Sequence, residues 1–469
     1  MPTRKRRSKS KRNNTTNAGH PDSPTDTPTG GTPTEPEEEP SPHDHLNTYL
    51  VPQHGMHSMS TSANPLLQLF LPVGYPSSVR QGYLEYQIWD VVQGLTSYLR
   101  GNLAYQSMLV GLGVGDVEAS ATAGALTKIV RDTCSMLGSL MFTYFYSDEF
   151  GYNVRQWRLF ADVSNDIGLT LHFLAPLFGK EWFVTITVIA SLMTTMCGIS
   201  AGATKAYISS HFALENNLTD LVSKEGSQET AVNVIGLIGG YCLLASVGTV
   251  EQSNAAVFIS FFVLTVIHVV ANVRAIHYLT FFFLNEERFQ LVMDVMEPRL
   301  ATYRLDEHVN IGHEDICRQE PLLPRVRCFN CRGHPTSDRI VLGSDHRALN
   351  PEAVQNALIR MAKECEFIHS FDMEDCIPKY VIVGACDTTH KLHVLFHQDA
   401  TSEDILSARF ECECLLRFGH DFFTIVLFCR QKIQMDVYFK KILSKYGWDT
   451  SKSNFKVGRT RYSDWPKGI

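Results

Sequence analysis

Arg158 and Asp162 stand four residues apart in the segment QWRLFAD (156–162), so on a helix they share a face, and Asn165 and Asp166 follow about one turn later. Gln156 opens the same segment. Two further polar groups sit in equally apolar surroundings: Arg131 with Asp132, and Ser227, Gln228 and Glu229, followed by Asn233. Lys205 closes the apolar run that begins at Trp182. Ionisable groups within or beside long apolar helices are costly to bury, so they face a cavity, a partner or an ion path, or they pair and lock the helices together. These residue types fit two arrangements equally: a polar site for a small solute or a protein partner, and an ion-pair network inside a bundle. Glu229 is expected near a helix N-terminus, where its charge is favoured.

Other patterns point to chemistry less strongly. GLGVGD (111–116) is glycine-rich but lacks the Gly-Lys-Ser/Thr ending of a phosphate loop and the spacing of a dinucleotide fingerprint. Gly198-Ile199-Ser200-Ala201-Gly202 matches the form of a nucleophile elbow, yet it ends an apolar helix where that motif needs a preceding strand. Cys328 and Cys331, with His313, Cys317 and His334 nearby, include one CxxC and no second, which is weak for zinc. His393 and His397 fall on one face of a strand about 13 Å apart, at ~3.3 Å per residue, too far to share an ion. With no nucleophile–base pair and no metal set, the chain is read as a non-enzyme that calls for no cofactor.

The elements that must position these residues are apolar. Trp182–Thr204, Thr230–Val250 and Gln252–Val273 contain no formal charge. Each has about the 20 residues that a helix needs to cross a ~30 Å hydrocarbon core. A polar stretch (205–229) separates the first two, and a short turn around Glu251 makes the last two a hairpin. Before them, helices are expected over Leu84–Leu99, within Leu103–Leu112, over Ala119–Tyr146 and over Gln156–Phe178, the last broken at Ala175–Pro176. Small residues recur four apart at Gly111/Gly115, Ala119/Ala123, Gly198/Gly202 and Gly236/Gly240, a spacing that lets helices approach closely in lipid. Lys205, Lys224, Arg274 and Arg288 fall on one side of the three segments and Lys180, Glu181 and Glu251 on the other. The positive-inside tendency therefore places the first set, and everything after Arg274, in the cytosol. In that topology the sequon Asn217-Leu218-Thr219 stays unglycosylated.

The rest of the chain is different in kind. Mean hydropathy is −0.08, an average of unlike pieces. Residues 1–63 carry a basic cluster (RKRRSKSKR, 4–12) and then a tail rich in Pro, Thr and acid, a composition expected to be disordered and unlike a signal peptide. A net charge of −7 gives no case for a nucleic-acid partner. Of twelve cysteines, Cys134, Cys197 and Cys242 lie in apolar runs, which suits a reducing compartment. Residues 299–345 read as a linker. Residues 346–469 read as a small α/β domain: a helix near 352–365, strands at Lys379–Cys386 and Lys391–His397, a helix starting at Thr401 and Asp404, a strand at Asp421–Cys429, a helix around Phe439–Tyr446 and a strand at Phe455–Tyr462.

Several segments together resemble the root UV-B sensitive family: FLPVGYP (70–76), YQIWD (86–90), GVGD (113–116), QWRLFAD with Asn165 and Asp166, AGATK (201–205), GSQET (226–230) with Asn233, ANVRA (271–275) and LNEER (284–288). The likeness covers roughly 64–298. It implies a membrane protein with no established reaction; plant members are tied to seedling development under UV-B light and to pyridoxal-type vitamin homeostasis. Arg131-Asp132 stands where the family often has Lys-Asp.

The expectation is mainly α, a multi-helical membrane bundle (64–298) with a small C-terminal α/β domain. It handles a small solute or scaffolds a partner at an internal membrane, with the C-terminal domain cytosolic and a protein partner or homo-oligomer possible. The competing reading is a soluble or peripheral helical regulator that binds a partner or a pyridoxal-type ligand.

Overall fold

The computed structural model describes residues 65–114, 121–214, 216–247, 255–302, 310–323, 339–370, 379–384, 391–426 and 429–463, all within one compact unit spanning 58–469. The chain is mainly helical. Helix α1 (Pro65–Phe70) precedes six long helices: α2 (Tyr83–Gly111), α3 (Ala121–Tyr146), α4 (Val154–Leu174), α5 (Lys180–Phe212), α6 (Leu218–Val247) and α7 (Ala255–His277). Then come β1 (Leu284–Asn285), α8 (Glu286–Thr302), α9 (His313–Gln319), β2 (Ile340–Leu342), α10 (Pro351–Ser370), β3 (Tyr380–Val383), β4 (Leu392–Phe396), α11 (Ser402–Val426), α12 (Cys429–Lys445) and β5 (Ser453–Asn454).

The six long helices run alternately up and down. At one end, Arg80 N–H donates to the Phe212 carbonyl, and Val79, Tyr83, Val154, Phe212, Leu221 and Leu279 form one apolar layer. This end joins the C-terminal elements. At the other end Leu103, Ala104, Phe173, Val257 and Phe261 form a second layer, where the Phe173 and Phe261 rings stack at 4.1 Å. Close approach is carried by small residues. A Cβ at Gly168 on α4 would sit 2.6 Å from Thr194 Cγ2 and 2.9 Å from the Ala190 carbonyl on α5, and one at Gly236 would meet Tyr98 on α2 at 2.6 Å. A Cβ at Gly240 would collide with the Asn102 amide. Gly198 and Gly202 have open space instead, so of the small-residue pairs Gly236/Gly240 is a packing seam and Gly198/Gly202 is not.

Helices α5, α6 and α7 are each long and apolar enough to cross a membrane, and only 17–28% of their apolar windows is buried. Leu140, Tyr144, Ile238, Tyr241, Ile259 and Val266 point outward and are exposed. The helices run longer than the charge-free segments. The stretch 205–229, expected to separate two spans, is the end of α5 and the start of α6, broken only around Ala213–Asn217. Its polar residues satisfy one another across the two helices, which is why they do not end them. Likewise the two helices expected over 84–112 are one, α2. The turn at Glu251 and the tail at 1–63 lie outside the described residues.

In the C-terminal part β2, β4 and β3 form a sheet in that order, β2 parallel and β3 antiparallel to β4. Leu392, Val394 and Phe396 pack with Phe410, Phe439 and Leu443 on one face, and Leu395, Val381 and Val383 pack with α10 on the other. Thr401 and Asp404 cap α11 reciprocally, at 2.7 and 3.3 Å. Two expected strands are corrected. Asp421–Val426 is the last part of α11 and Cys429 begins α12, the helix overriding the β-propensity of DFFTIVLFC. Residues 455–462 form no strand: Gly458 N–H donates to the Leu342 carbonyl at 2.8 Å and Tyr462 bridges to His397, with the two-residue β5 just before them. Within 299–345, α9 and β2 are regular structure, and their Ile316, Ile340 and Leu342 share a core with α8, α11 and α12.

Candidate functional site

Between the two apolar layers of the bundle lies a polar one. A cavity of about 410 Å³ opens among α2, α4, α5 and α6, lined by Gln87, Asp90 and Gln93, by Arg158, Asp162 and Asn165, by Cys197, Gly202 and Lys205, and by Glu225, Gln228 and Glu229, with others. Each helix contributes at helical spacing. Asp90, Gln93, Ser97 and Arg100 recur every three or four residues on α2, and Arg158, Asp162, Asn165 and Asp166 answer them on α4.

Arg158 Nη2 donates to Asp90 Oδ1 at 2.8 Å, and its Nε lies 3.6 Å from Asp162 Oδ2. Gln87 Nε2 and Ser209 Oγ donate to the Glu225 carboxylate at 3.1 and 2.8 Å. Lys205 pairs with Glu229 at 2.9 Å on the more exposed side, and Gln228 holds the Phe70 carbonyl at 2.7 Å. The lining holds four carboxylates (Asp90, Asp162, Glu225, Glu229) and two cations (Arg158, Lys205), a formal excess of two negative charges.

The polar chain continues inward. Gln93 Nε2 lies 3.3 Å from Asp162 Oδ1 and 3.1 Å from His268 Nε2; His268 Nδ1 lies 2.8 Å from Asp166 Oδ1; Arg100 Nη1 lies 2.5 Å from that same oxygen. Arg100 and His268 are fully buried, and Arg100 ends beneath Phe261, 5.8 Å from its ring.

Arg158, Asp162, Lys205, Gln228 and Glu229 are thus brought together as expected site residues, and Asp166 joins the ladder one layer deeper. Arg131 and Asp132 are not part of it: Asp132 pairs with Arg131 and with Lys128 on α3. Gln156 bonds the Pro321 carbonyl at 3.2 Å, Ser227 bonds the Ser223 carbonyl at 3.2 Å, and Asn233 faces outward. Sequence reasoning missed Gln87, Asp90, Gln93, Arg100, Glu225 and His268. The stripe on α2 was available as a 3–4 spacing of polar residues; His268 was hidden because a count of formal charges treats histidine as neutral.

A second polar cluster joins the bundle to the C-terminal elements. The buried Glu320 carboxylate accepts from Arg155 of α4, from Arg288 of α8 at 3.1 Å and from Asn285 at 2.9 Å. Burial alone would raise its pKa, but Arg288 and Arg155 outweigh that and hold it below the usual range. Burial pushes the neighbouring Cys317 thiol up; it donates to the Phe281 carbonyl at 3.2 Å. Among the described residues no group of three metal-type ligands occurs, while Cys328, Cys331 and His334 lie outside them. His393 bonds Ser344 and His397 faces Asp399, so the two histidines have separate partners.

The vitamin B6 photo-protection and homoeostasis domain matches residues 57–297. The chain is 34% identical over 282 residues to root UVB sensitive 3 of Arabidopsis thaliana, covering 59% of this chain and 61% of that one. It is 34% identical over 257 residues to RUS family member 1 of Dictyostelium discoideum (54% and 48%). To the chloroplastic root UVB sensitive 2 of Arabidopsis thaliana it is 31% identical over 289 residues (62% and 62%). The chain thus spans about half to three-fifths of the length of these relatives. No solved structure matches it. Of the segments that carry the likeness, YQIWD on α2, QWRLFAD on α4, AGATK on α5 and GSQET on α6 reach the cavity, and the chain belongs to the root UVB sensitive family.

Proposed function

We propose that this chain is a multi-span membrane protein that binds a small polar solute carrying a positive group in the cavity and passes it across an internal membrane, without chemical conversion. The carrying observation is a charge-lined cavity inside a bundle whose outward faces are apolar. A soluble bundle of this length would keep a charged outer stripe; here the charge lies inside, where a membrane protein concentrates function. Lys205, Lys224, Arg274 and Arg288 share the end that joins the C-terminal elements, which supports a cytosolic reading of that end.

The family's domain description names vitamin B6, so B6 compounds are the first solutes to test. The acid excess favours forms with an amine and no phosphate. Tagged full-length protein should leave a membrane fraction only with detergent; release by carbonate would overturn the membrane reading and favour a soluble regulator. Reconstituted protein should then take up labelled pyridoxamine, and Glu225→Gln should reduce uptake at least tenfold. Uptake equal to empty liposomes would count against B6, and a broader panel of amines would decide the class. Recovery of a stoichiometric protein partner with no flux of any amine would favour a scaffold.

A further inference from the structure

One atom of Gln93 serves two titratable neighbours. Its amide nitrogen lies 3.3 Å from Asp162 Oδ1 and 3.1 Å from His268 Nε2. An amide nitrogen only donates and an amide oxygen only accepts. Whichever way the amide is turned, therefore, Asp162 and His268 meet the same kind of atom. With nitrogen presented, both must accept: Nε2 is bare and Asp162 Oδ1 carries no proton. Asp162 Oδ2 faces the Arg158 Nε–H donor at 3.6 Å, which disfavours a proton there, so Asp162 is a carboxylate. With oxygen presented, both must donate: Asp162 carries a proton on Oδ1 and His268 carries one on Nε2. A single proton on either leaves the other contact repulsive, in an interior where an unmade bond is expensive.

We propose that Asp162, Gln93 and His268 form a two-proton site, in which Gln93 makes the cavity carboxylate and the buried imidazole gain and lose their protons together. The surroundings hold the other ring nitrogen in place. Asp166 Oδ1 faces Nδ1 at 2.8 Å and keeps its proton in both states, so a tautomer shift cannot substitute for uptake. The Asn272 amide, 3.3 Å from the same nitrogen, lies one turn along α7. The other ionisable groups facing the triplet are Arg158 and Asp166 on α4, Tyr86, Asp90 and Arg100 on α2, Cys197 on α5 and, across the cavity, Lys205 on α5 with Glu225 and Glu229 on α6. Neutralising Asp162 lowers the acid excess of the lining, so protons and a cationic solute oppose each other there. That consequence rests on the solute reading; the joint titration does not.

The test needs no solute. Infrared difference spectra of detergent-solubilised full-length protein, taken against pH, resolve the protonated-carboxyl band lost in Asp162→Asn and the imidazolium band lost in His268→Gln. Both bands should share one midpoint, with a slope steeper than a single proton gives. In Gln93→Leu they should come apart by about one pH unit or more. Separate midpoints in the wild type, or an unchanged common midpoint in Gln93→Leu, would overturn the proposal. Should the leucine variant not fold, His268→Gln decides: the Asp162 band must shift and fall to a one-proton slope, and an unmoved band ends the idea. Loss of amine uptake with the joint midpoint intact would remove the solute reading and leave the proton site standing.

Discussion

Arg158 reaches from α4 across to Asp90 on α2, 2.8 Å away, while its own helix supplies Asp162 on the next turn. One guanidinium thereby neutralises carboxylates from two helices. Arg158→Ala leaves both carboxylates facing each other in the cavity wall, a loss expected to cost about 3 kcal/mol. Asp90→Asn keeps Arg158 paired with Asp162 and should cost less than half as much. Thermal unfolding of the two variants in the same detergent checks the order.

Glu320 gives the joint between bundle and C-terminal elements a pH signature. Its pKa in the fold lies below the ordinary glutamate value of 4.5. Its stabilisation is therefore complete above that value and is lost as pH falls through the lower, folded one. Glu320→Gln leaves Arg155 and Arg288 without their counter-charge and should cost about 3–5 kcal/mol at neutral pH. The gap between wild type and variant should stay constant down to about 4.5 and shrink below it. A gap that instead widens on acidification would contradict the assigned direction.

Gly168 and Gly202 differ in what surrounds them. Gly168→Ala forces a methyl against the Ala190 carbonyl and should cost about 1–3 kcal/mol by prising α4 from α5. Gly202→Ala meets open space at the cavity wall and should leave the unfolding temperature within a degree or two, or raise it, since alanine is the better helix former. Melting curves of both variants read this directly.

Cys242 sits on the outward face of α6, exposed in the chain. With that face in lipid, a charged maleimide should fail to label it in sealed vesicles and should label it once the protein is unfolded in denaturant. Rapid labelling in intact vesicles would place the face in water. Asn217 should carry no glycan, and its amide already donates to the Ser78 carbonyl at 2.8 Å.

Helices α5, α6 and α7 were legible in the chain because each has a long charge-free run, and length with hydropathy is a local property, whereas α2 read as two helices. Arg158, Asp162, Lys205, Gln228 and Glu229 were legible as candidates because charge is rare in such runs. The helix break at Ala175–Pro176 and the cap at Thr401–Asp404 were equally local. What the sequence could not decide was which polar residues face one another. Arg131 and Asp132 look like Arg158 and Asp162 in residue type. Yet the first pair lies on α3 outside the polar layer and the second lines the cavity, because helix rotation and neighbour choice are set by packing at Gly168, Gly236 and Gly240 across distant segments. The same packing made helix of 205–229, where Lys205 finds Glu229 and Ser209 finds Glu225, and it brought His268 beneath Gln93. Local chemistry determined the helices and their polar residues; only tertiary contact decided which of those residues share a site.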